Sequence, residues 1–136
     1  MIDDKESMPD QYKTVSLEEF VEYSKSMFAY WTEDDFASSF RKMLTIEQFR
    51  SEEMQGLYQQ YLSSGPAAYV KDLFESMGIA HAEENAVRFY ATMYFYYSVY
   101  DGADDKEKVK NEFASAIGSM AQEWIKQPKL TQIRKS

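Results

Sequence analysis

Phe89-Tyr-Ala-Thr-Met-Tyr-Phe-Tyr-Tyr-Ser-Val-Tyr100 carries seven aromatic side chains in twelve residues, with no formal charge between Arg88 and Asp101. At helical spacing its apolar groups keep to no single face, and a helix that is apolar nearly all round must be covered on more than one side. In a chain of 136 residues, one side meets the chain's own core. The other side calls for a second copy of the chain or a large apolar ligand. The stretch is shorter than the ~20 apolar residues that span a bilayer. Its five tyrosines each bring a hydroxyl that needs a partner. It points to a soluble helical domain that dimerises and holds a greasy molecule, not to an enzyme or a membrane span.

Working outward, the rest of the chain also reads as helix. Ser16-Leu-Glu-Glu19 is a capping box, in which the Ser hydroxyl and the Glu side chain satisfy each other's backbone amides. A stripe follows through Leu17, Phe20, Val21, Ser24, Met27, Phe28 and Trp31. Thr32-Glu-Asp-Asp35 supplies an oxygen cap and acids for a second helix, which carries Phe36, Phe40, Met43 and Leu44 and extends toward Phe49. Ser51 opens a third, with Met54, Leu57, Tyr58 and Tyr61 inward. Pro66 suits the first turn of a fourth, where its missing N–H costs nothing, and Gly78 suits its C-terminal cap. A fifth helix is expected over 82–100 and a sixth over 104–126, ending before Pro128. No segment alternates with period two, so the expected fold is all-α, about six helices in an antiparallel bundle with short loops. Residues 1–15 read as a polar leader, 16–126 as one domain and 127–136 as a basic tail.

The net charge of −8 sets the main surface against nucleic acid. Lys126, Lys129, Arg134 and Lys135 account for +4 with no acid nearby, so the remainder carries −12 (−8 less +4). With no cysteine, disulfides, thiolate metal sites and cysteine nucleophiles are excluded. The polar N-terminus lacks the apolar core of a signal peptide, which favours the cytoplasm.

Catalytic machinery is not visible. His81 stands alone beside a helix start, and an exposed residue near a cap explains it better than a haem or metal ligand or a base. Asp101, Asp104 and Asp105 would suit a magnesium–diphosphate site, but a turn and a helix cap explain them more simply. The five glycines are scattered, forming neither a phosphate loop nor a nucleophile elbow. No metal and no cofactor are expected. What remains is a surplus of aromatic and Met stripes, several with polar tips, as in Trp31, Tyr58, Tyr61, Tyr69, Tyr90 and Tyr94. Greasy linings with a few orienting polar groups are typical of ligand sites. Plain core filling explains the same residues one at a time.

Phe40-Arg-Lys-Met-Leu-Thr-Ile-Glu-Gln-Phe-Arg-Ser-Glu-Glu-Met54, continuing through Gly56-Leu-Tyr58 and Tyr61-Leu-Ser-Ser-Gly-Pro66, resembles the C-terminal domain of TetR-family (tetracycline-repressor-like) transcriptional regulators. The likeness goes on through Phe89-Tyr-Ala and Tyr96-Tyr-Ser-Val-Tyr-Asp101 and covers about residues 16–126. It implies an effector-binding and dimerisation domain whose last two helices pair with their copies in a four-helix bundle. It also implies a small hydrophobic effector in a cavity among the middle helices. The family's N-terminal helix-turn-helix is missing, so this chain is not expected to touch an operator. On that resemblance, helices carrying Phe36, Phe40 and Met43 and carrying Tyr58 and Tyr61 form the pocket walls, with Trp31 at the lining. Tyr69, Leu73, Phe89, Tyr90 and Met93 close it. Tyr94, Tyr97, Ser98, Phe113, Ile117, Met120 and Trp124 form the dimer interface. Periodicity does not separate the faces of the fifth helix, so the two sets are interchangeable there. Rival readings are a helical homodimeric interaction module with no small-molecule site, and an all-helical lipid or isoprenoid enzyme resting on the three aspartates.

Overall fold

Side-chain oxygens decide where the helices begin. Ser16 Oγ accepts from the Glu19 amide at 3.1 Å, and Glu19 Oε1 accepts from the Ser16 amide at 2.9 Å. Asp34 Oδ2 accepts from the Ala37 amide at 2.9 Å, and Ser51 Oγ from the Met54 amide at 3.2 Å. The computed structural model describes residues 15–126. Six α-helices and no strand occur among them. They are α1 (Leu17–Glu33), α2 (Asp35–Glu47), α3 (Glu52–Leu62), α4 (Ser64–Ser76), α5 (Ala82–Gly102) and α6 (Lys106–Lys126). The all-α expectation holds. The polar leader before Val15 and the basic tail beyond Lys126 lie outside the described residues.

One cap differs from expectation. Thr32 does not start α2; its hydroxyl donates to the Phe28 carbonyl at 2.7 Å inside α1, and Asp34 takes the capping role. The α3–α4 junction depends on Gly65, where a Cβ would stand 2.2 Å from the Gln60 carbonyl oxygen. At the end of α4, Gly78 adopts φ 76°. The Gly78 and Ile79 amides donate to the Glu75 and Phe74 carbonyls at 3.1 and 3.0 Å. This double closure needs a left-handed residue, which glycine supplies without a Cβ clash.

Packing centres on α5, which lies against α1, α4 and α6. Two ring clusters join them. Phe20 of α1, Phe74 of α4, Phe89 of α5 and Trp124 of α6 meet with ring centroids 4.7–6.3 Å apart. Farther along, Phe28 stacks on Phe113 at 4.3 Å and on Tyr97 at 5.6 Å, with Tyr100 edge-on at 6.0 Å. A smaller cluster, Leu44, Tyr58 and Leu62, ties α2 to α3.

These clusters correct part of the expected interface. Tyr97, Phe113, Ile117 and Trp124 are buried in the chain's own core and are not free to meet a second copy. The α6 stripe Val109–Phe113–Ile117–Ala121–Trp124 follows helical spacing, and α1 and α5 of the same chain fill against it. Met120 is half-buried against that core, Tyr94 is half-buried and Ser98 is exposed. The outward side of α5 instead presents Phe95, 59% exposed, beside the half-buried Tyr96 and Val99. Coverage of the aromatic helix comes mostly from its own chain, and two sides stay open, one at Phe95, Tyr96 and Val99 and one at Val87 and Ala91.

Candidate functional site

Large rings at the α1–α4–α5 junction do not close on each other completely. They leave a half-open cavity of about 180 Å³ walled by Phe20, Tyr23, Ser24, Met27 and Trp31 of α1. Tyr61 of α3 and Pro66, Tyr69 and Val70 of α4 form a second wall, and Phe89, Tyr90 and Met93 of α5 the floor. The lining contains no charged side chain. Ser24 turns its hydroxyl back to the Phe20 carbonyl at 2.8 Å, so its polarity is already satisfied.

Six of the residues chosen from sequence therefore come together: Trp31, Tyr61, Tyr69, Phe89, Tyr90 and Met93. Others do not. Phe36 is 74% exposed and stacks on Phe40 at 6.1 Å, and Phe40 meets the lining residue Tyr61 edge-on at 5.4 Å without lining the cavity itself. Met43 is exposed as well. The reason is rotation: α2 buries Ala37, Arg41 and Leu44, one residue round from Phe36, Phe40 and Met43, which is a turn of about 100°. Leu73 lines an adjoining hollow of about 210 Å³ with Val15, Glu19, Phe20, Tyr23 and Tyr69. Tyr58 belongs to a separate groove between α3, α4 and α5, shared with Tyr90 and Tyr94. Phe20, Tyr23, Ser24, Met27, Pro66 and Val70 were missed as lining; Phe20, Ser24 and Met27 stand on the α1 stripe with Trp31, and a shared stripe does not mark a lining.

Arg41 also escaped the sequence reading. It is 5% exposed, and its guanidinium makes paired bonds to Asp101 at 3.0 and 2.7 Å. Its Nε donates to the Trp31 carbonyl at 3.0 Å, and its charge lies 4.9 Å above the Tyr97 ring. One side chain on α2 thus holds the backbone of a cavity residue on α1 and the last turn of α5. Asp101 sits at a helix C-terminus, where the macrodipole disfavours a carboxylate; the fork of Arg41 offsets that cost. A charge on the face shared with Ala37 and Leu44 was the available signal. Asp105 does act as a cap, accepting from the Lys108 amide at 3.1 Å, and Asp104 is exposed. Among the described residues, no group of three or more acids or histidines is placed to hold a metal ion. His81 is exposed at the start of α5 with φ 53°.

Three tyrosine hydroxyls at and near the cavity have partners. Tyr90 donates to the Leu62 carbonyl at 2.6 Å, and the Tyr58 and Tyr94 hydroxyls bond to each other. Burial, then the bond with Tyr58, pushes the Tyr94 hydroxyl up to about 12. Burial likewise carries Tyr90 and Tyr97 well above the usual phenol range, with Arg41 opposing. The Tyr90, Tyr94 and Tyr97 hydroxyls stay neutral at physiological pH, and those of Tyr90 and Tyr94 serve as hydrogen-bonding tips. No protein-family model, curated protein or solved structure matches the chain.

Removing one member of the Arg41–Asp101 pair strands the other. Asp101→Ala is expected to cost about 3 kcal/mol in urea unfolding, while the double change Arg41→Met with Asp101→Ala costs less than the two singles summed. A cycle with no coupling would show that the pair is not structural. The raised phenols predict alkaline lability. Folded-state values above the unfolded value of ~10 favour folding fully below pH 10, and that contribution is lost as pH climbs through the folded values. The urea midpoint should hold from pH 7 to 9.5 and fall by pH 12, with phenolate absorbance lagging behind that of the unfolded chain.

Proposed function

We propose that this chain is the ligand-sensing and dimerisation domain of a TetR-type transcriptional regulator, taking a small hydrophobic effector between α1, α4 and α5. The observation that carries the reading is the uncharged, ring- and Met-lined cavity of about 180 Å³ at that junction. An engineered apolar cavity of about 150 Å³ stays dry and binds benzene, so this volume suits a molecule of one or two rings. Met27 and Met93 give the lining adaptability. The residues that carry the family resemblance fall on α2 to α5.

Arg41 supplies a route from guest to fold. A ring pressing on Trp31 strains the carbonyl that Arg41 holds, and with it the Asp101 contact at the end of α5. Such a guest acts only through its different affinity for two arrangements of these helices. The partner of α5 and α6 is a second copy, seated on the outward groove of Phe95, Tyr96, Val99, Ala116 and Ser119. Small side chains on α6 let a facing helix approach closely, and residues Ser98 and Met120 border this side. In this reading the domain works in the cytoplasm, makes no contact with nucleic acid itself, and reaches operator DNA through a separate helix-turn-helix. It has no catalytic role and takes no cofactor. No described helix is long and apolar enough to cross a membrane.

A second reading, a homodimeric interaction module without a small-molecule site, is favoured by the exposed rings of α2 and its following turn, Phe36 and Phe49, the latter 85% exposed. Naphthalene separates the two. In 15N NMR spectra it should shift the Trp31 indole and the amides around Met27 and Met93 saturably, while Trp124, deep in the core, stays still. Scattered or non-saturating shifts would reject the cavity. Light scattering at micromolar concentration should give a dimer, and Ala116→Glu should give a folded monomer; a monomeric parent chain would reject the proposed pairing.

A further inference from the structure

The cavity does not end at its inner wall. Phe20, Tyr23 and Tyr69 line both it and the neighbouring hollow of about 210 Å³, so the two chambers lie on either side of these rings. Tyr23 and Tyr69 are both partly exposed, which places the outer chamber toward solvent. Among the described residues that line the two chambers, the one charged side chain is Glu19. Its carboxylate is held by the Ser16 amide and side chain, which lower its pKa and keep it ionised at neutral pH. The start of α1 carries the partial positive charge of a helix N-terminus, about +0.5. The full charge of Glu19 outweighs it, so among the described residues the outer end of the cleft is net negative.

Resting on the cavity reading above, we infer that the two chambers form one elongated site for an aryl-alkyl amine: an uncharged ring between Trp31, Phe89 and Met93, an alkyl arm passing Tyr23 and Tyr69, and a cationic end at Glu19. The inner lining offers no ammonium or guanidinium to hold an anion, and burying an unpaired charge there is costly. It offers ring faces and methionine sulfur to an aromatic group. The outer chamber offers room for an arm and a fixed negative charge in reach of water. A carboxylate at the same end of the guest meets that negative charge and is repelled.

Three probes of one shape test this by NMR titration at pH 7.4: 4-phenylbutylamine, 4-phenylbutan-1-ol and 4-phenylbutyrate. The amine is expected to bind about two- to fivefold more tightly than the alcohol, the range of an exposed ion pair, and the butyrate most weakly. The alcohol should in turn bind more tightly than benzyl alcohol, because its longer arm fills the outer chamber. Glu19→Gln keeps a side chain that completes the capping box. It should erase the advantage of the amine and leave the alcohol unchanged. Equal binding of amine and butyrate, or an amine preference untouched in E19Q, would overturn the proposal. So would naphthalene binding without any gain for the longer arm, a result that leaves the inner cavity standing. If neither naphthalene nor the phenyl probes bind, the cavity reading falls and this inference falls with it.

Discussion

The close contact of Phe28 with Phe113, centroids 4.3 Å apart, and the edge-on and tilted meeting of Phe20, Phe74, Phe89 and Trp124 hold this chain in one arrangement. Four helices contribute to these rings, and α5 runs through both groups. Aromatic side chains bury large areas, roughly 150–250 Å² each, and prefer offset or edge-to-face contacts over a face-to-face sandwich. A core built from rings is therefore strong where they meet and incomplete where three helices diverge. The space bounded by Trp31, Tyr69 and Met93 is of the second kind.

Polar groups in this neighbourhood constrain rather than react. Arg41 is the clearest case: its buried charge is offset by a paired contact to Asp101, a carbonyl at its Nε and a ring beneath it. Buried ion pairs add little net stability, but they fix geometry because a misplaced partner leaves a charge alone. The clamp joins the end of α1 to the end of α5, so the cavity wall and the helix proposed for pairing share one fastening. The tyrosine hydroxyls behave similarly. Tyr90 ties α5 to the end of α3, and Tyr58 ties α3 to Tyr94.

Much of the helical layout was legible because it is written locally. Ser16, Ser51, Pro66 and Gly78 act within a turn of themselves, and each stands where its local chemistry placed it. Thr32 misled because threonine satisfies its hydroxyl equally well on the carbonyl four residues back. The orientation of α2 misled for a different reason. Arg41 sits among its buried positions, so the apolar pattern pointed to the wrong face. Sequence shows that Phe113, Ile117 and Trp124 are covered, but a stripe does not say whether its own chain or another does the covering. That question is answered only by the long-range packing of α1 and α5 against α6. The cavity residues of α1 share a stripe with true core residues, and nothing in their spacing marks the gap between them.

The central claim is that the space between α1, α4 and α5 is a real, apolar and accessible void. Crystals of the chain held under xenon test it most directly, since xenon occupies dry apolar cavities irrespective of ligand chemistry. A xenon atom is expected in contact with Trp31, Phe89 and Met93. Side chains closed over that position, with xenon absent there at saturating pressure, would contradict it.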